Sequence, residues 1–364
     1  MRATEAVADA RRFTEICNAC RYCESYCAVF PAIEQQREFT NQDMAYFANL
    51  CHNCQGCYHA CQYAPPHEFG INLPKTFAEV RQQSYAEYAW PPGAGKLFEK
   101  NGTLVSLLTA AAITLVIVLT MAFHDLDSLT RARSGPGSFY AVIPWGVMVA
   151  VAGVTFGYGI VALFAGAVRF WLATRSPLTK PLTLRATGRA LHDIFTLRYL
   201  GGDGHGCNDT SDRFAQKRRW FHHLTFYGFL LCFASTSVAT VYDHWLGLIA
   251  PYPFFSIPVQ LGTWGGIGIV IGVAGLLWIK IIADQAPVSQ VLKGGEFAFS
   301  ILLWLTAFTG LLLLALRDTG AMPILLAIHL GVILAFFIAL PYSKFVHGIY
   351  RATALLKAAI ERQH

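Results

Sequence analysis

The stretch CNACRYCESYC at residues 17–27 and the stretch CHNCQGCYHAC at residues 51–61 share one cysteine spacing, C-x2-C-x2-C-x3-C. Together they hold eight of the ten cysteines of the chain. Four thiolates at this spacing can converge on one soft metal centre, and the spacing is typical of a [4Fe-4S] cluster. The doubled motif therefore predicts two [4Fe-4S] clusters.

Two other uses of clustered cysteines fit the sequence less well. A disulfide framework is typical of small secreted domains, and no early apolar stretch resembling a signal peptide precedes these cysteines. Zinc sites usually show two separated cysteine pairs. In two-cluster ferredoxins the last cysteine of each run ligates the other cluster, and by that analogy the ligands divide as follows. One cluster would take Cys17, Cys20, Cys23 and Cys61. The other would take Cys51, Cys54, Cys57 and Cys27.

The composition indicates a membrane protein. The 364 residues are 54% hydrophobic and only 14% charged, against about 25% charged in average soluble chains. Residues 1–102 hold 9 Lys/Arg and 11 Asp/Glu, as a nearly neutral soluble domain would. The overall charge of +6 therefore comes from loops that flank apolar segments, and we expect no nucleic-acid partner.

Six apolar stretches are long enough to cross a bilayer, which needs about 20 residues of helix. They lie at about 103–123, 140–168, 221–246, 260–283, 297–316 and 323–348. Residues before them form short helices joined by the cysteine loops. The sequence thus predicts an all-α protein: a small α-helical two-cluster domain over 1–92, followed by a six-helix transmembrane bundle over 93–364.

Basic residues predict the orientation. The segment 169–220 carries ten Lys/Arg, including Lys180, and the C-terminal flank adds four more, whereas the loops on the other side carry few. The positive-inside rule places this segment and the C-terminus in the cytoplasm. Because the number of spans is even, the N-terminal cluster domain lies there too.

Histidines near the ends of the third and sixth spans predict a haem. These spans run antiparallel, so His222 or His223 comes level with His347, and two facing imidazoles can hold a b-type haem. Adjacent residues point about 100° apart on a helix, so only one of His222 and His223 can be the axial ligand. The other could bond a propionate or a quinone.

A second pair of histidines lies towards the far side. His244 and His329 come roughly level, and the sequence leaves open whether they hold a second haem, cap helices or bind quinone. His329 and His347 are 18 residues apart, so on one continuous helix they would share a face about 27 Å apart.

The histidine segments resemble the cytochrome b subunit of respiratory nitrate reductases. The stretch from His329-Leu330-Gly331 to Leu340-Pro341-Tyr342-Ser343-Lys344-Phe345-Val346-His347 looks like its last haem-carrying helix, and Phe221-His222 resembles the start of the partner helix. That partner helix carries a second ligand ten residues later, where this chain has Cys232.

Over nearly its full length the chain is similar to the tricarballylate/citrate-utilisation protein B family. The matching residues include both cysteine runs, Gly206-Cys207 and the segment from Trp220 to Phe229. The resemblance implies a ferredoxin-like domain fused to a six-span cytochrome b in the bacterial inner membrane. It also implies a role, which is to reoxidise the FAD of a partner dehydrogenase and pass electrons to membrane quinone.

The residues show no nucleophile–base pair, phosphate loop or dinucleotide fingerprint, so we expect an electron-transfer subunit without its own carbon-substrate site. We expect the quinone near the first haem, between the third and sixth spans. Two alternatives stay open. One is a membrane subunit of a heterodisulfide- or nitrate-reductase-like complex, and the other is a redox sensor.

Overall fold

The structure is a computed structural model that describes residues 1–125, 129–175 and 181–362. Residues 176–180, including the Lys180 of the predicted basic loop, lie outside this set. Within these residues every named element is helical, and β pairing is limited to one bridge between Cys207 and Ala215. The prediction of an all-α fold is confirmed.

The N-terminal domain is built from short helices with well-defined starts. Thr40 and Asp43 form a capping box in which each side chain accepts a hydrogen bond from the backbone of the other residue, and Asn72 caps the helix that follows the second cysteine run. Such caps satisfy the free N–H groups of a first helical turn. The helices are α1 Glu5–Cys20, α2 Val29–Glu34, α3 Asn41–Leu50, α4 Gly56–His59 and α5 Leu73–Tyr88.

The remaining chain is a bundle of long apolar helices. They are α6 Asn101–Ala122, α7 Trp145–Thr174, α8 Leu184–Phe195, α9 Lys217–Leu246, α10 Ile257–Ile282, α11 Lys293–Leu316, α12 Met322–Ala339 and α13 Val346–Glu361. In the part of the chain that the structure describes, six segments are long and apolar enough to span a membrane. α6, α9, α10 and α11 begin and end within four residues of the first, third, fourth and fifth predicted spans, whereas α7 begins five and ends six residues after the second.

The sixth span is not the continuous helix expected over 323–348. α12 ends at Ala339, a 3-10 turn covers Leu340–Tyr342, and Ser343 has an extended backbone before α13 begins. Pro341 has no N–H to donate, and its ring clashes with the carbonyl four residues earlier. His329 and His347 therefore lie on different helices, and the predicted shared face was wrong.

Glycines allow α9 and α10 to approach closely. A Cβ atom at Gly265 would lie 2.8 Å from the Gly228 carbonyl oxygen, and one at Gly272 would lie 2.7 Å from the Phe221 carbonyl oxygen. Both distances are shorter than van der Waals contact. Small residues at helix interfaces bring backbones together in this way in membrane proteins, and here they fix the position of the segment around Phe221.

α13 leaves the bundle and packs against the N-terminal domain. The Tyr46 hydroxyl donates to Glu361 at 2.9 Å, and the Lys357 ammonium lies 3.8 Å from the centre of the Tyr46 ring. One continuous core of buried residues joins the two domains. The cluster domain and the C-terminal helix therefore lie at the same end of the bundle.

Candidate iron–sulfur and haem sites

The cysteine runs fold into loops with unusual backbone angles. α1 ends at Cys20, and Arg21 then takes a left-handed φ of 58°. In the second run Asn53 and Gln55 have φ values of 56° and 65°. Non-glycine residues adopt this conformation at a cost in energy and often do so at functional sites. The loops turn back on themselves, so their cysteines converge.

The eight sulfurs fall into two groups. Cys17 lies close enough to Cys20, Cys23 and Cys61 for their charges to act on it. Cys57 has the same relationship to Cys54, Cys51 and Cys27, and to a smaller degree to Cys23 of the first run. The fold thus brings Cys61 to the first run and Cys27 to the second, which is the grouping that the ferredoxin analogy predicts. Ligation itself stays a prediction.

The surroundings of the first group fit an iron–sulfur cluster. A cleft with about 750 Å³ of empty space, its mouth included, is lined by Cys17, Cys20, Cys23 and Cys61 and also by Cys57 of the second run. Burial, and then the neighbouring thiols, raises the pKa of Cys17 and Cys23 to about 12. Bound iron would supply the positive charge that thiolates need.

A zinc site fits these thiols less well. Within residues 1–125, 129–175 and 181–362, no three His, Cys, Asp or Glu side chains converge tightly enough to hold a single metal ion. The C-x2-C-x2-C-x3-C spacing is typical of [4Fe-4S] clusters, whereas zinc sites usually show two separated cysteine pairs.

Three arginines surround the second group. The Cys51 carbonyl accepts hydrogen bonds from Arg81 at 2.5 Å and Arg351 at 2.7 Å. Arg218 donates to the Asn53 carbonyl at 2.5 Å and lies 3.4 Å from Asp209. The arginines belong to α5, α13 and α9, so the membrane bundle and the cluster domain together hold this loop. The positive charge of the three arginines would stabilise the reduced form of a bound cluster, which is more negative than the oxidised form.

His222 and His347 face each other beside this loop. Their ring centroids are 6.2 Å apart with the planes at 78°. His347 Nδ1 donates to the Lys344 carbonyl, which leaves Nε2 free to bind a metal. Imidazole nitrogens bind a metal at about 2 Å, and these two rings are close enough that one metal-bearing group could be held by both. The two residues fit the axial ligands of a haem.

His223 points elsewhere. Its Nε2 donates to the Thr196 carbonyl at 3.1 Å, and its ring lies 5.8 Å from that of Tyr227. Of the two adjacent histidines, the structure therefore brings only His222 to His347. His223 is engaged by the end of α8.

His244 and His329, the second pair of histidines, contact different neighbours. His329 Nδ1 lies 2.9 Å from the Thr309 hydroxyl on α11. His244 is exposed, and its ring lies 5.2 Å from that of Trp145 on α7. The structure does not bring these two histidines together as it does His222 and His347.

His52 follows Cys51 directly, and sequence reasoning missed its burial. The structure buries it to 7% exposure, with Nδ1 donating to the Leu50 carbonyl and its ring 6.0 Å from that of Tyr199. Arg351 was also missed as a contact of the cysteine loop. Its spacing of four residues from His347 is a signal that could have found it, because such residues share a helix face.

Comparisons with known proteins agree with the predicted resemblance. The family model for Citrate utilization protein B matches residues 98–364, and the model for its Fer4-like domain matches residues 10–87. The curated Citrate utilization protein B of Escherichia coli is 48% identical over 361 residues, which cover 99% of this chain and 94% of that protein. No solved structure matches the chain.

Proposed function

Because the chain belongs to the Citrate utilization protein B family, we propose that it carries electrons from a reduced FAD-dependent dehydrogenase to membrane quinone. The route runs through two [4Fe-4S] clusters and one haem b. The dehydrogenase is a cytoplasmic flavoprotein of the tricarballylate or citrate type and performs the carbon chemistry. The chain itself conducts electrons within the bacterial inner membrane, with both termini in the cytoplasm.

One contact supports this route above all others. Arg351, on the helix that carries His347, donates to the carbonyl of Cys51. The histidine pair and the second cysteine group are therefore joined through one side chain. Redox centres held by these residues would be neighbours, as a conducting path requires.

The remaining residues have roles that fit this path. When bound, the clusters and the haem exchange one electron at a time, whereas flavin and quinone exchange two. The first cysteine group lines an open cleft at the surface, where a donor protein can approach. The second group lies against the bundle, where Arg81, Arg218 and Arg351 hold its loop.

Anaerobic purification with iron and haem quantified tests the proposal first. Mixing with the reduced flavoprotein should reduce the haem, and added quinone should reoxidise it. If the haem stays oxidised while the clusters are intact, the proposal that a flavoprotein is the electron donor is wrong. Reduction by quinol alone would favour the heterodisulfide- or nitrate-reductase-like alternative, and iron without haem would favour a redox sensor.

A further inference from the structure

The helix α8 turns its large apolar side chains away from the rest of the protein. Leu184, Leu191 and Phe195 are 93%, 48% and 43% exposed. They follow one another at spacings of seven and four residues, so they share one face of the helix, since a turn takes 3.6 residues. These three residues form the apolar stripe of α8. Water is an unfavourable environment for such a stripe, because apolar surface is stabilised by removal from water.

The face of α8 that contacts the protein is small and partly polar. Its buried residues are Ala186, Ala190 and Asp193, and the two alanines lie against Ala359 and Ile360 of α13. An amphipathic helix of a soluble protein normally buries its apolar stripe against the core. In α8 the two faces are exchanged, which indicates that the surroundings of its exposed face are apolar.

Basic side chains flank the apolar stripe. Arg185, Arg189 and His192 follow one another at spacings of four and three residues, so they form a second row along the helix beside the stripe. The one acidic residue of α8 is Asp193, which is 5% exposed and lies 3.8 Å from Arg198. The exposed side of α8 therefore presents apolar groups with positive charge beside them and no carboxylate.

Three side chains of α9 fix the end of α8. Arg219 and His223 both donate to the Thr196 carbonyl, at 2.8 and 3.1 Å, and the Tyr227 hydroxyl donates to the Phe195 carbonyl at 2.7 Å. Carbonyls at the end of a helix lack partners within that helix. Because the three donors recur every four residues on α9, the end of α8 lies along the first turns of the third span.

An exposed face of α9 continues the apolar stripe. Trp220, Leu224 and Tyr227 are 68%, 42% and 44% exposed, and Tyr227 is the residue bonded to the end of α8. Trp171, near the end of α7, lies against the alanines of α8. Tryptophan and tyrosine are enriched where a bilayer meets water. These residues place α8 at the level of the interface, at the end of the bundle that carries the basic segment 169–220.

We propose that α8 lies flat in the cytoplasmic leaflet of the bilayer, with its apolar stripe among the acyl chains and with Arg185 and Arg189 at the phosphates of anionic lipids. Interfacial helices combine an apolar face with basic residues on the polar face. Anionic lipids attract basic residues close to the membrane surface. The occupant of the exposed face is therefore the membrane and not a protein partner. The inference does not depend on haem, clusters or quinone.

Photocrosslinking in nanodiscs identifies what contacts the apolar stripe. In the full-length holoprotein, p-benzoylphenylalanine replaces Leu191 or, in a second variant, Leu184. Both positions are exposed, so the substitutions disturb no buried contact. The same group replaces Glu38 in the control, because Glu38 is exposed in the cluster domain. The nanodiscs contain equal amounts of phosphatidylglycerol and phosphatidylcholine. Iron content and elution volume are compared with those of the parent protein before illumination, and mass spectrometry identifies the adducts.

Both α8 variants should form adducts with phospholipid, and the Glu38 variant should form none. Phosphatidylglycerol should predominate among the adducts. Arg185→Gln in the Leu191 variant should lower the preference for phosphatidylglycerol about fivefold, since one basic residue near an anionic surface contributes about that factor. Arg37→Gln, at an exposed position of the cluster domain, should leave the preference unchanged.

Three results would overturn the proposal. The first is a second copy of the chain, in place of lipid, as the adduct at both α8 positions. The second is equal labelling by the two lipids, which would remove the role of the arginines. The third comes from illumination of membranes that also contain the flavoprotein dehydrogenase. Adducts of both α8 positions with that protein instead of lipid would make the exposed face its docking surface.

Discussion

Arg351 donates a hydrogen bond to the Cys51 carbonyl at 2.7 Å, although the two residues are 300 positions apart in the chain. The contact joins the helix of one proposed haem ligand to the loop of one proposed cluster. It also places a half-buried cation beside a proposed centre that would become more negative on reduction.

Arg351→Met should therefore lower the reduction potential of the cluster held by the Cys51 group. Removing one charge at this distance should lower the potential by roughly 50–100 mV. For a one-electron couple, about 59 mV corresponds to a tenfold change in the equilibrium constant. An anaerobic EPR redox titration measures the shift. Arg185→Met, at an exposed position on α8, is the control and should leave the potential unchanged.

Cys54→Ser should remove one of the two clusters, because a serine hydroxyl is a poor ligand for iron that prefers thiolate. Iron and acid-labile sulfide should each fall to about half in anaerobically prepared protein. Cys207→Ser should change neither, since Cys207 lies outside both C-x2-C-x2-C-x3-C runs and its thiol donates to the Leu200 carbonyl. Zinc in place of iron in the parent protein would contradict the assignment.

His347→Ala should abolish the low-spin haem spectrum, because one axial ligand and its anchoring are lost together. His223→Ala should retain the spectrum, since His223 bonds to Thr196 and not to His347. His244→Ala should retain it as well. Absorbance and haem extraction measure both the amount and the ligation, and full low-spin haem in the His347 variant would refute the pairing.

Gly272→Ala should destabilise the bundle by about 1–3 kcal/mol, as overpacking of a tight interface does. The added methyl would meet the Phe221 carbonyl next to His222, so haem should also be lost at a lower temperature. Heating in detergent with haem absorbance as the readout shows the change. Gly153→Ala, where a Cβ atom meets nothing within 4 Å, should behave like the parent protein.

Most of the helical architecture could be predicted from the sequence. The cysteine spacing between Cys17 and Cys61 and the six apolar stretches are local patterns. What they indicate, a metal-binding loop or a membrane-spanning helix, does not depend on residues far away in the chain. The break at Pro341 was missed because an apolar run continues through it. Hydropathy reports the environment of a segment but not whether its backbone stays helical.

The sequence by itself determined which residue types could hold iron and where the chain could cross a membrane, because ligand chemistry and hydrophobic length are properties of short segments. Only the tertiary structure decided that His222 rather than His223 faces His347, and that Arg81 and Arg351 meet at the Cys51 carbonyl. These contacts join residues far apart in the chain. They depend on how α13 turns back onto the cluster domain, and helix packing rather than local pattern sets that direction.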